Sequence, residues 1–140
     1  MKRRAISGLI LVVLMGLIWV IYPSFSNRVE KLPQRIKATT YEKRHNKQLA
    51  LKIATGFGYD KRERKCLLKL WTKESRFDTY ARPKDIHGKQ TSTAFGIAQL
   101  LGERSSDPTI QIVRGLLYVG HRYRGSACRA LAFHNRHNWY

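Results

Sequence analysis

The sequence predicts a mainly α-helical domain behind an N-terminal transmembrane helix. Three observations carry that prediction. Residues 5–22 form one uncharged, apolar stretch, and Lys2, Arg3 and Arg4 precede it. Further along, apolar side chains recur at three- and four-residue spacings between residues suited to capping helices. No convincing strand pattern interrupts them.

The first stretch is near the ~20 residues that a helix needs to cross a bilayer. Two readings compete for it. A cleaved signal peptide has a shorter apolar core, roughly 7–15 residues, and a small-x-small cleavage site, for which Ser24-Phe25-Ser26 is a weak match. The greater length favours an uncleaved signal anchor over 1–22. Residues 23–40 read as a basic linker with Pro23 and Pro33, and 41–140 as the folded domain. Arg28, Lys31, Arg35 and Lys37 follow the span, so basic residues flank it on both sides. The expected location is a membrane-anchored domain outside the cytoplasm: periplasm, cell exterior or a virion membrane.

The net charge is +18, from 27 Lys and Arg against 9 Asp and Glu. A charge of this size concerns partners rather than fold. Nucleic acid, anionic lipid headgroups and an anionic wall polymer all satisfy it. No helix-turn-helix, zinc-finger or RNA-binding motif is present, so no specific nucleic-acid partner is expected.

The helices follow in order. One is expected over about 42–55, with Leu49, Ala50, Ile53, Ala54 and Phe57 on one face. The next starts at Asp60, with Glu63 three residues on in a capping-box pattern, and runs to about Arg76. Residues 77–93 read as a polar loop, followed by a short segment over 94–101. Asp107-Pro108 opens a helix with the line Ile112, Leu116, Val119 and Tyr123, and Gly125 stops it. Ser126 caps a last short helix through Phe133.

Glu74 is the most informative residue. It continues the apolar stripe of Leu67, Leu70 and Trp71 at helical spacing. Burial disfavours its ionised form, and the helix C-terminus adds to this. A carboxyl that stays protonated near neutral pH is what a general acid requires. The alternative is a frayed helix end with Glu74 in solvent beside Lys73 or Arg76. Asp78, four positions on, is expected to cap or solvate the loop rather than act as a second catalytic carboxylate. Cys66 and Cys128 can either pair or remain buried thiols. A bridge over that loop would contribute roughly 4 kcal/mol. A zinc site from Cys128, His134 and His137 matches no established spacing, so no metal or other cofactor is expected. His45 and His87 read as surface residues.

Three segments resemble lytic transglycosylases of the soluble, lysozyme-like type. Cys66 to Phe77, with its Glu74-Ser75 pair, is similar to the catalytic helix of that family. Ala94-Phe95-Gly96-Ile97-Ala98-Gln99 resembles its second motif, and Ala130-Leu131-Ala132-Phe133-His134-Asn135 its third. Thr109–Ile112, Gly115–Tyr118, Arg122-Tyr123 and Trp139-Tyr140 are similar to small secreted wall proteins of the same type. The resemblance spans roughly 64–140.

The resemblance implies a lysozyme-like helical fold and peptidoglycan glycan strands as substrate. It implies Glu74 as catalytic acid and base, forming 1,6-anhydro-muramyl ends. Ser75, Phe95, Gly96, Gln99, His134 and Asn135 become expected substrate-binding or supporting residues, with Gly96 allowing close approach to the groove and Gln99 bonding the sugar or the catalytic site. His134 departs from the family pattern, which commonly has Tyr there. It is expected to hydrogen-bond Glu74 or, if charged, to lower its pKa. Cysteines at the positions of Cys66 and Cys128 in such proteins imply a disulfide. Two rival functions stand beside this one: a membrane-anchored basic nucleic-acid-binding protein, and a wall-binding protein without catalysis.

Overall fold

The computed structural model describes residues 37–140. The expected span and most of the linker lie outside the described residues. Among the described residues the chain is mainly helical, and no helix is long and apolar enough to cross a membrane.

Helix α1 covers Thr40–Gly56. It starts in a full capping box: the Thr39 hydroxyl accepts from the Glu42 N–H at 3.2 Å, and the Glu42 carboxylate accepts from the Thr39 N–H at 2.7 Å. Such a box satisfies two amides that the first turn cannot pair. Asn46, Ala50 and Ala54 form the buried stripe, with Leu49 and Ile53 packed beside it. Phe57, expected on that face, lies beyond the last turn and is exposed. The folded body also takes in Ala38, whose buried N–H donates to Asp78 at 2.9 Å, although the sequence reading put it in the linker.

Helix α2 covers Lys61–Glu74 and buries Leu67, Leu70 and Trp71. Asp60 caps it by accepting from the Glu63 N–H at 2.7 Å. The expected reciprocal bond is absent because the Glu63 carboxylate has a more distant task. It accepts from Ser126 Oγ and from the Cys128 N–H, each at 3.0 Å. Helix α3 covers Pro108–Tyr123, with Asp107 as N-cap and Pro108 in the first turn, as the sequence predicts. Helix α4 covers Ala127–His137, capped by Ser126, and runs a full turn past Phe133. That extra turn carries His134 into the interior.

Helices α2 and α4 pack side by side in parallel. Near their starts, Cys66 and Cys128 form a disulfide with Cα atoms 4.9 Å apart. Near their ends, Glu74 and His134 meet at 3.0 Å. Glu63 adds a third tie, at the first turn of α4. Inside, Leu67, Leu70 and Trp71 join Ile112, Leu116 and Val119 of α3 and Ala127 and Ala130 of α4 in one core. Gly115 lets α3 approach closely: a Cβ there would stand 2.7 Å from both Trp71 and Ala98.

The segment between α2 and α3 contains a small hairpin that sequence reading missed. β1 (Ala94–Phe95) pairs antiparallel with β2 (Leu100–Leu101). Strands of two residues are too short to show alternation. Gln111 of α3, fully buried, staples this segment down. Its Oε1 accepts from the Ile97 N–H at 2.9 Å, and its Nε2 donates to the carbonyls of Thr79 and Ser105 at 3.0 and 2.6 Å. Gln111→Leu would leave these backbone groups unpaired in the interior. It is expected to lower stability by about 3 kcal/mol, measured by urea denaturation.

Candidate active site

Glu74 is the last residue of α2, and two tight constraints hold the chain just after it. Arg76 and Phe77 both adopt left-handed backbone, with φ of 55° and 62°. Such a conformation costs a non-glycine residue about 1–2 kcal/mol. Burial of Phe77 edge-on to Trp71 offsets this, and so does the bond from Asn46 Nδ2 to the Phe77 carbonyl at 3.0 Å. Ser75 caps the helix, and its Oγ donates to the Ile97 carbonyl at 2.7 Å. The helix end is thereby fastened to the turn that follows β1.

The Glu74 side chain is 14% exposed, so the frayed, solvated alternative does not hold. Burial pushes its pKa up to about 7. His134 Nε2 lies 3.0 Å from Glu74 Oε1. Burial lowers the His134 pKa, and the nearby charge of Lys73 lowers it further. Both shifts favour a neutral pair. Although the two atoms are close, no donor among the described residues is aligned on Oε1, and Nδ1 of His134 is buried without a partner. A protonated carboxyl resolves the first of these by donating its own O–H to Nε2. Of the two roles expected of His134, the contact with Glu74 fits this geometry; a lowered Glu74 pKa was expected only of a charged imidazole, and burial pushes the ring toward its neutral form.

Two tyrosines without an expected role of their own lie within electrostatic reach of this carboxyl. The charge of Glu74 raises the pKa of both Tyr118 and Tyr140, though burial is the larger cause for each. The Tyr140 hydroxyl accepts from Trp71 Nε1 at 3.0 Å and donates to the Ala98 carbonyl at 2.7 Å. The two rings meet edge to face, 5.5 Å apart. Their only sequence signal was membership of the Gly115–Tyr118 and Trp139-Tyr140 segments.

The residues of the second motif make close contacts within the fold. Phe95 is buried, and the Arg82 guanidinium lies 4.3 Å above its ring. Gly96 has a φ of 77°, and a Cβ there would be 2.3 Å from the Gln111 amide. This contact by itself requires glycine here. Gln99 Nε2 donates to the carbonyls of Ala81 and Gly96 at 3.0 and 2.7 Å, so its amide nitrogen bonds the turn and not Glu74. Asn135 is exposed and borders a groove with Lys73.

No protein-family model, curated protein or solved structure matches this chain.

The site's chemistry therefore rests on its own atoms. Asp78 is buried and committed: it accepts from the N–H groups of Ala38 and Tyr80 and pairs with Lys43 at 3.0 Å. It structures the loop, in line with the first of its sequence roles. Cys128 is held in the disulfide, and His134 faces Glu74. No group of potential metal ligands forms among the described residues. His45 and His87 are exposed. What remains is one carboxyl that exchanges a proton near neutral pH, with an imidazole in contact and two tyrosines within electrostatic reach.

Proposed function

We propose that this chain is a lytic transglycosylase with a lysozyme-like helical domain, cleaving the β-1,4 bond between N-acetylmuramic acid and N-acetylglucosamine in peptidoglycan. The observation that carries the reading is the Glu74 carboxyl, held near pKa 7 by burial and in contact with His134. The ordered resemblance of the three motifs adds to it, and Glu74 and His134 come from the first and third of these.

In this reading the Glu74 O–H protonates the glycosidic oxygen as the C1–O bond breaks. Positive charge develops on the muramic ring. The resulting carboxylate then takes the proton from that sugar's C6 hydroxyl, whose oxygen bonds C1. The products are a 1,6-anhydro end and a free 4-hydroxyl, and Glu74 returns to its protonated form. A single carboxyl suffices for both steps, which agrees with Asp78 being bound up elsewhere. His134 accepts the Glu74 hydrogen bond in the resting site and orients the acid. The strongly basic chain suits an anionic wall or membrane surface, and the proposed N-terminal anchor would hold the domain outside the cytoplasm. The disulfide fits such an oxidising location.

Digestion of purified peptidoglycan, followed by mass spectrometry, tests the reading. The expected products carry anhydro-muramyl ends. Reducing ends would make the protein a hydrolase, and an absence of fragments would favour a binding role. The rate has its own signature. Glu74 must be protonated to start the reaction, so kcat/KM is expected to fall with rising pH, with a midpoint near 7. A rate that stays flat to pH 9 would exclude Glu74 as the acid.

A further inference from the structure

An aromatic patch runs over α3, the end of α4 and the tail. Trp139 is 51% exposed. Phe133 meets it edge to face at 4.8 Å, and the Arg122 guanidinium lies over its ring, 5.0 Å from the centre. The same guanidinium lies 5.6 Å from the Phe133 ring and 5.7 Å from that of Tyr123, and its Nε donates to the Tyr123 hydroxyl at 3.1 Å. Attraction between the cation and the rings holds the indole in place while half of its surface stays open. Among the described residues the Nη groups of Arg122 and the Tyr118 hydroxyl have no hydrogen-bond partner. The patch continues from the site. Tyr118 and Arg122 are one turn apart on α3, and the Tyr118 hydroxyl lies within electrostatic reach of both Glu74 and Arg122. On α4, Phe133 directly precedes His134.

We infer that this patch is a sugar-stacking subsite with Trp139 as its platform, holding the glycan at a ring away from the bond that is cut. The inference rests on the proposed glycan-cleaving role of Glu74, since that role sets which polymer runs past Tyr118. A β-1,4-linked N-acetyl sugar carries its substituents near the ring plane, so each face of the ring is an array of C–H groups. Such a face packs on an open indole, while the hydroxyls and acetamido group at its edge meet the free donors of Arg122 and Tyr118. A lipid chain would use the indole alone. Arg122 and Phe133 already order the indole, so stacking on it costs little conformational entropy. The consequence is selection by length: a strand that reaches both Glu74 and Trp139 binds more tightly than one that reaches only the first.

The test reads binding, so it does not depend on cleavage. The full chain carrying Glu74→Gln is titrated in a calorimeter with β-1,4 oligomers of N-acetylglucosamine, dimer to hexamer, which are uncharged and so gain nothing from the basic surface. Affinity is expected to rise with length. Adding Trp139→Ala should weaken hexamer binding about tenfold, and adding Trp139→Phe should keep it within about twofold. A second measurement leaves position 139 unchanged. With Trp19→Phe, the remaining indoles are the fully buried Trp71 and the exposed Trp139. The hexamer should shield the exposed indole from quenching by acrylamide, and the dimer should shield it less. Equal hexamer affinity with and without Trp139→Ala would overturn the inference, as would an equal loss in Trp139→Phe or unchanged quenching at saturating hexamer. Shielding by a single-stranded oligonucleotide and not by the hexamer would assign the indole to nucleobases and also overturn it. Failure of the Glu74 reading shows separately: the native chain would release no anhydro ends from peptidoglycan while the hexamer still shields Trp139.

Discussion

Glu74→Gln is expected to abolish glycan cleavage and at the same time to stabilise the fold above neutral pH. The activity loss should exceed about a thousandfold, since the amide cannot donate and recover the proton. The stability gain follows from linkage. The Glu74 carboxyl titrates near 4.5 when unfolded and near 7 when folded. Between those values the native state holds more protons, so this group's contribution falls as pH rises and is fully lost above about 7. The shift corresponds to about 3 kcal/mol, reduced to about 2 by solvent screening at the partly open site. Glutamine cannot ionise, and its amide can donate to His134 Nε2 as the protonated carboxyl does. The variant should therefore melt roughly 8 °C above the native chain at pH 8 and match it near pH 4.5. His134 contributes with the opposite sign, since its folded pKa is lowered, but it is present in both proteins. Equal melting temperatures at pH 8 would mean that Glu74 is not held in its neutral form.

Removal of the disulfide is the second large effect. Cys66→Ser with Cys128→Ser is expected to cost about 4 kcal/mol by releasing a long loop in the unfolded chain. The loss should reach the site as well. The bridge and the Glu74–His134 contact tie the same two helices at successive levels, so without it α2 and α4 are free to separate. Reduction of the native protein should therefore lower cleavage together with the melting temperature, and reoxidation should restore both. Full activity of the reduced protein at a temperature where it remains folded would show that the pair needs no such clamp.

The helices were legible because their signals are local. Apolar spacing marks Leu67, Leu70 and Trp71, and Asp60, Asp107 and Ser126 cap the helices they precede. Glu74 was legible for the same reason: it is a carboxylate on an otherwise buried stripe. The errors fall where a local pattern competes with a distant partner. Glu63 had the spacing of a capping box, yet two donors at the start of α4 claim its carboxylate. Gln111 gave no warning, because a polar residue beside Ile110 and Ile112 shows nothing of the carbonyls it meets after folding. The hairpin was hidden by its brevity, and α4 outran its expected end because the aromatic tail packs back on the body. In that tail Phe133 meets Trp139 at 4.8 Å and Tyr123 meets Tyr140 at 6.3 Å.

The Cys66–Cys128 bridge also bears on when the molecule becomes competent. A newly made chain carries two thiols, and in a reducing compartment they remain thiols. Until they are oxidised, the acid and its imidazole partner rely on weaker ties, chiefly the Glu63 bonds to the start of α4. On the proposed glycan-cleaving reading, the same covalent link that steadies the mature domain would hold back its chemistry until oxidation, and a cell producing it would be spared wall damage during assembly without a dedicated inhibitor.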